Sequence, residues 1–134
     1  MDINRKETIY FTLHIEEGIL HCYYKKIDVL DIDVAKIGVR DRIEFSNNVS
    51  YPCLFDIRET NEITKDARDY LAKEGNELVT ASAIVVSSAI LRVIANFFIK
   101  VNRPVNPTRL FTDRETAVEW LKEFRQEGAI SYSA

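Results

Sequence analysis

The sequence predicts one α/β domain built on a mixed, mostly parallel sheet that opens with a β-hairpin. Three observations carry this. An alternating apolar and polar run, Thr8 to Ile15, and a partner strand, Ile19 to Tyr24, flank the turn residues Glu16-Glu17-Gly18. Two short, largely apolar stretches, Tyr51 to Ile57 and Leu78 to Val86, read as central strands. Segments of helical period separate these strands, which is the pattern of a parallel sheet with crossover helices. The chain has 134 residues, the size of one domain, and no Pro/Gly/Ser-rich linker or internal repeat divides it. Residues 1–134 are therefore expected to form one unit with its core over about 8–124.

The hairpin specifies its own register. Pairing Ile15 with Leu20, Leu13 with Cys22 and Phe11 with Tyr24 collects these apolar residues, with Ile9, on one face, whereas a slip by one residue puts His21 opposite Leu13 in the core. The same register sets His14 beside His21 and Thr12 beside Tyr23 on the other face. Asp31-Ile32-Asp33 then starts a helix, because an aspartate oxygen can accept from the free amides of the first turn. Ile32, Ala35, Val39 and Ile43 follow at helical spacing, and Ser46-Asn47-Asn48 ends it. Pro52 fits the Tyr51 strand only at its start, since it cannot donate to the ladder.

Thr64 begins a second helix with Ala67, Tyr70 and Leu71, and Gly75 is placed as its C-cap. In the strand Leu78 to Val86 both faces are apolar. Ser87 or Ser88 caps a helix to about Val101, Pro107 to Thr112 forms a last strand, and Thr112-Asp113-Arg114-Glu115 matches a capping box before Ala117, Val118, Trp120, Leu121 and Phe124. The expected order is β-β-α-β-α-β-α-β-α.

Composition excludes several classes. The chain is 46% hydrophobic and 29% charged, which is globular rather than disordered. A net charge of −3 argues against nucleic-acid binding by bulk charge, and Lys100, Asn102, Arg103 and Arg109 read as a solvated basic cluster. The four glycines are too dispersed for a phosphate loop, so no nucleotide cofactor is expected. The first residues lack an apolar secretory core. The stretch Ala81 to Val101 is interrupted by Ser82, Ser87, Ser88, Arg92, Asn96 and Lys100, so no membrane insertion is expected. Cys22 and Cys53 read as buried hydrophobes in a reducing cytoplasm.

Ligands of open α/β sheets gather beyond the carboxyl ends of the strands. Three loops meet there by topology and supply Asp56, Arg58, Thr60, Asn61, Thr64, Ser87 and Ser88 as candidate ligand-binding residues, with Asp56 a partner for Arg58 or for loop amides. Catalysis needs a base beside a nucleophile. His14 and His21 sit in the hairpin, away from these loops, and Asp56 with Ser87 or Ser88 lacks an orienting third group. A two-histidine metal site lacks a third ligand, so no catalytic residue and no metal is assigned. The 88–101 segment is apolar on more than one face, and Ile90, Val93, Ile94, Phe97 and Phe98 are candidate contacts for a protein partner or a second copy.

Several stretches carry a family resemblance: Cys53-Leu54-Phe55-Asp56-Ile57-Arg58, Thr64 to Leu71, Ala95-Asn96-Phe97-Phe98 and Pro107 to Asp113. With the element order, they make the chain similar to SpoIIAA-like, or STAS, domains of bacterial anti-sigma-factor antagonists, and to a group of uncharacterised SpoIIAA-like bacterial proteins. The resemblance covers roughly Thr8 to Phe124. It implies a SpoIIAA-like fold and a non-enzymatic regulatory or protein-interaction role. In such antagonists a serine of an Asp-Ser-Ser-Gly-type motif is phosphorylated, whereas Lys65 and Asp66 occupy the equivalent positions here and Thr64, the nearest hydroxyl, is placed as an N-cap. The alternative expectation is a binder of a small anionic or apolar molecule at the strand-end loops.

Overall fold

The computed structural model describes residues 4–89 and 105–125. Two short strands and two long ones open the chain: β1 (Arg5–Glu7), β2 (Phe11–Glu16), β3 (Ile19–Tyr24) and β4 (Ile27–Leu30). Helix α1 (Ile32–Phe45), strands β5 (Tyr51–Asp56) and β6 (Thr60–Ile63), and helix α2 (Lys65–Lys73) follow. Strands β7 (Val79–Val85) and β8 (Thr108–Phe111) and helix α3 (Arg114–Leu121) complete the described elements. Six strands form one sheet in the order β1-β2-β3-β5-β7-β8, antiparallel through β3 and parallel from β3 to β8. The expected α/β class and mostly parallel sheet are what the chain adopts.

The hairpin register is the one that the apolar pattern selects: Phe11 faces Tyr24, Leu13 faces Cys22, His14 faces His21 and Ile15 faces Leu20. Its first strand is shorter than expected. Thr8 folds back on Phe11, with its amide donating to the Phe11 carbonyl at 2.7 Å and its Oγ1 accepting from the Phe11 amide at 3.0 Å. This turn ejects Ile9 from the apolar face and leaves it 83% exposed. Residues Arg5–Glu7 then return as an edge strand beside β2.

Strands β4 and β6 pair in parallel as a separate two-stranded sheet. Each directly follows a main-sheet strand, so this ribbon extends beyond the carboxyl ends of β3 and β5. The stretch 56–64, expected as one loop, thus contains a strand.

Helix caps follow the sequence with two corrections. Asp31 Oδ1 accepts from the Val34 amide at 3.0 Å, and Asn47 and Asn48 leave α1 through left-handed backbone. Thr64 caps α2 by accepting from the Ala67 amide at 3.3 Å. Helix α2 ends at Lys73, and Gly75 lies in a 3₁₀ turn, Glu74–Asn76, so it is not the helix C-cap. The left-handed residue is Leu78, just before β7. Asp113, not Thr112, caps α3, accepting from the Thr116 amide at 2.8 Å. Beyond Ala89, the helix expected to about Val101 lies outside the described residues.

The sheet separates two apolar layers. Leu13, Leu20, Cys22, Cys53 and Ile84 pack under α1 and α2, together with Val34 and Leu71. Ile19, Leu54, Ala81, Ala83 and Val85 pack on the opposite face against Ala117 and Leu121 of α3. Cys22 and Cys53 are buried free thiols. Burial pushes both thiols up, Cys53 to about 12.

Helix α1 presents Val34, Ala35, Val39 and Arg42 inward, while Ile32 and Ile43 are only half-buried. Gly38 lies where α1 crosses the Phe11 ring. A Cβ at this position would come within 2.8 Å of Phe11 Cζ, a ring that is itself fully buried. Alanine normally improves a helix interior by about 1 kcal/mol over glycine, but overpacking a filled core costs about 1–3 kcal/mol. Gly38→Ala should therefore lower stability by about 1 kcal/mol in urea unfolding, and Phe11→Leu in the same chain should recover the loss. A stabilised Gly38→Ala protein would show that α1 can lift off β2 without cost.

Candidate functional site

Alternation along β5 sends Leu54 and Asp56 to the face covered by α3. Asp56 ends the strand, and its side chain is 1% exposed. A carboxylate this deeply buried requires donors, and four reach it. The Arg58 amide and Nε donate to Oδ1 at 3.2 and 3.0 Å, and Arg58 Nη2 donates to Oδ2 at 2.7 Å. Arg114, the first residue of α3, adds Nη1 to Oδ2 at 3.0 Å. Burial raises the Asp56 pKa, but these bonds outweigh it and hold the carboxyl below its ordinary range. The Asp56 carboxylate pairs in turn raise Arg58 further above its usual value.

Arg114 also reaches the hairpin. Its Nη2 lies 2.8 Å from Nδ1 of His21. Arginine has only donors, so His21 accepts at Nδ1 and carries its proton on Nε2. Burial, then the nearby His14 and Arg114, lower the His21 pKa to about 4, keeping the ring neutral at pH 7. His14 stacks on it with ring centroids 4.3 Å apart and planes 15° from parallel, and His14 Nε2 lies 3.6 Å from Glu16. The cluster therefore runs from the hairpin through Arg114 to the end of β5. For His21 the expectation that the hairpin stands away from the strand ends is corrected, because Arg114 spans the gap to Asp56.

The candidate residues read from sequence do not all converge. Asp56 takes both of the roles open to it, pairing with the Arg58 guanidinium and accepting from the Arg58 loop amide. Thr60 is buried at the start of β6, with its amide bonded to the Ile57 carbonyl at 3.0 Å. Asn61 Nδ2 donates to Asp28 Oδ1 at 2.9 Å, which ties β6 to β4. Thr64 caps α2, and its Oγ1 lies 2.5 Å from Asp66 Oδ1. Ser87 is half-buried after β7 and Ser88 is exposed. The interface candidates Ile90, Val93, Ile94, Phe97 and Phe98 lie outside the described residues. Sequence reasoning missed Arg114 and His21, whose signal was a basic residue directly after a helix N-cap and a histidine on the polar face of a central strand.

The cluster's chemistry is that of a clamp. A general base needs a free lone pair aimed at a reacting proton. Asp56 has both oxygens engaged by cations, and His21 has its accepting nitrogen occupied. Among the described residues no group of three or more metal-type ligands gathers here.

The sequence profile of the domain of unknown function DUF7793 matches residues 13–125. The chain belongs to this family. The DUF7793 match begins within β2 and takes in β3, the whole parallel sheet and α3, so the Asp56 cluster lies inside the family unit. A crystal structure of an uncharacterised DUF3478-family protein with a SpoIIAA-like fold, from Shewanella loihica PV-4, superposes with a TM-score of 0.54. It is 16% identical, and the alignment covers 87% of this chain and 98% of that one. The DUF7793 chain thus has a SpoIIAA-like fold. No curated protein matches it in sequence. No helix among the described residues is long and apolar enough to cross a membrane.

Acid should release the clamp in a defined window. The unfolded chain's His21 takes up a proton near the ordinary 6.5, whereas the folded chain resists until about 4. Stability from a neutral His21 is whole above pH 6.5 and falls as pH drops toward 4, by on the order of 3 kcal/mol across that window. Asp56, with its lowered pKa, adds a further loss at still lower pH. Urea midpoints measured from pH 7.5 to 4.5 should fall steeply in the wild type and much less in His21→Gln. An equal fall in both would place the acid-labile group elsewhere.

Proposed function

We propose that this DUF7793 chain is a non-enzymatic interaction module of the bacterial cytoplasm, acting by docking a protein partner or a second copy of itself. The observation that carries the reading is the fourfold-bonded Asp56 carboxylate. At the strand ends, where α/β enzymes place their chemistry, this chain spends its buried carboxylate and its neutral histidine on holding three elements together. Arg58 is 42% exposed at the rim of that cluster, which offers a partner a charged ledge on a fixed backbone. The SpoIIAA-like fold supports the same role by analogy, since its anti-sigma-factor antagonists act by binding proteins. The positions equivalent to their phosphorylated serine carry Lys65 and Asp66, and Thr64 is engaged as the α2 cap. Regulation by phosphorylation at that position is therefore not part of the proposal.

The version committed to is self-association through the apolar residues Ile90, Val93, Ile94, Phe97 and Phe98. Light scattering at micromolar to millimolar concentrations should give the mass of a dimer, and Phe97→Asp with Phe98→Asp should give a monomer of unchanged circular dichroism. A monomer at every concentration, with no protein recovered specifically by the wild type and lost by the double variant, would rule the docking role out.

A further inference from the structure

On the other face of the sheet, between α1, the 3₁₀ turn after α2 and the strands, lies a cavity of about 50 Å³. At ~10–15 Å³ for one water position, it holds a few water-sized groups, or one small organic molecule. Its walls are mainly apolar, with Leu13, Leu30, Leu71 and Ile84 among them. Arg42 also lines it, and Arg42 is 2% exposed.

A buried guanidinium is costly unless it is paired and hydrogen-bonded. Arg42 Nη2 donates to the Gly75 carbonyl at 3.2 Å. Nη1 is buried and, among the described residues, has no hydrogen-bond partner. Among the described residues no acidic one lines the cavity. Asp41 is adjacent in sequence, but neighbouring residues of a helix do not face each other, and its carboxylate lies 3.4 Å from Arg40. The segment 90–104 contains no aspartate or glutamate. Arg42 acts electrostatically on three ionisable groups of the sheet, Cys22, Tyr24 and Cys53. Burial pushes all three upward against the smaller pull of Arg42, so they are neutral and supply no countercharge. A second cavity residue, Asn76, donates from Nδ2 to the Ala72 carbonyl at 2.7 Å, and its buried Oδ1 has no hydrogen-bond partner among the described residues.

We propose that this cavity is a binding site for a short-chain carboxylate, which pairs its anionic oxygen with Arg42 Nη1 and lays its alkyl tail against the apolar walls. The chemistry selects this class. One unpaired guanidinium nitrogen matches one carboxylate oxygen, and a charge-assisted bond in an apolar enclosure is strong. Inorganic phosphate or sulfate would bring four oxygens and no alkyl group for the apolar walls, whereas a carboxylate leaves only its second oxygen to a water. An uncharged alkane would leave the guanidinium as it is. Asn76 Oδ1 remains to accept from a water or from a hydroxyl beside the carboxylate. The cavity lies on the sheet face opposite the Asp56 cluster.

Sodium propionate titrated into the full chain at constant ionic strength, with methyl-detected NMR as readout, tests the proposal. Saturable shifts at Leu13, Leu71 and Ile84 methyls are expected, with intermolecular NOEs from the propionate methyl to the same groups. Sodium chloride and 1-propanol should not reproduce them. Arg42→Met, which replaces the buried charge with an apolar chain of similar reach and should fold, is expected to weaken binding by about tenfold or more. Should that variant not fold, the NOEs in the unaltered protein still decide. Absence of saturable shifts, equal binding of 1-propanol, NOEs confined to surface residues, or full binding by a folded Arg42→Met protein would each overturn the proposal.

Discussion

Asp56 must stay ionised inside the protein, and much of the architecture around it follows from that constraint. A fully buried carboxylate without partners would cost several kcal/mol. The chain meets the cost with two arginines from different places, one two residues downstream and one 58 positions away at the start of α3. The second arginine fixes where α3 begins, and Asp113 caps the helix at that point. Through its other nitrogen it also fixes the tautomer of His21 on β3. One charge thus joins the end of the central strand, the last helix and the hairpin. These are segments that the chain order keeps far apart.

The two faces of the sheet solve the problem of buried charge in opposite ways. Beside α3, Asp56 is matched by the cations of Arg58 and Arg114. Beneath α1 and α2, Arg42 meets one carbonyl and a set of neutral thiols and a phenol. Helix α1 is set close to the hairpin by Gly38 against Phe11, which brings Arg42 over the sheet rather than out to solvent. The first arrangement closes a site, and the second leaves a donor inside an apolar enclosure.

Much of the fold was legible because the sheet's period is strict. In the hairpin, a one-residue slip exchanges faces, so Leu13, Cys22 and Tyr24 determined the register before any coordinates. The caps at Asp31 and Thr64 were legible from local chemistry, since a side-chain oxygen three residues before an amide has one common use. The strands β1, β4 and β6 were not, because three or four residues with exposed charges such as Lys6, Asp28 and Glu62 carry no periodic signal. Gly75 misled for a related reason. A glycine after a helix suggests a left-handed cap, but here it sits in a tight turn and Leu78 takes the left-handed geometry. For Asp56 the sequence offered two roles, a partner for Arg58 or an acceptor for loop amides, and did not decide between them. Arg114 and His21 were not legible, because alternation assigns His21 to a polar face and cannot say that a helix will cover it. Arg42 was hidden the same way. An arginine on a helix reads as solvated unless the depth of packing is known.

The central claim is that the Asp56 cluster is a structural clamp whose members act through one another. A double-mutant cycle of Asp56→Asn and Arg114→Met, read by urea unfolding at pH 7.5, tests it most directly. Residues in one buried network couple by about 0.5–3 kcal/mol, whereas independent sites add to within about 0.5 kcal/mol. The clamp predicts a coupling of about 1.5 kcal/mol or more, with the second substitution costing much less once the first is made. Additive losses would contradict it, and would mean that Arg114 is held at the strand end by something other than the carboxylate it touches.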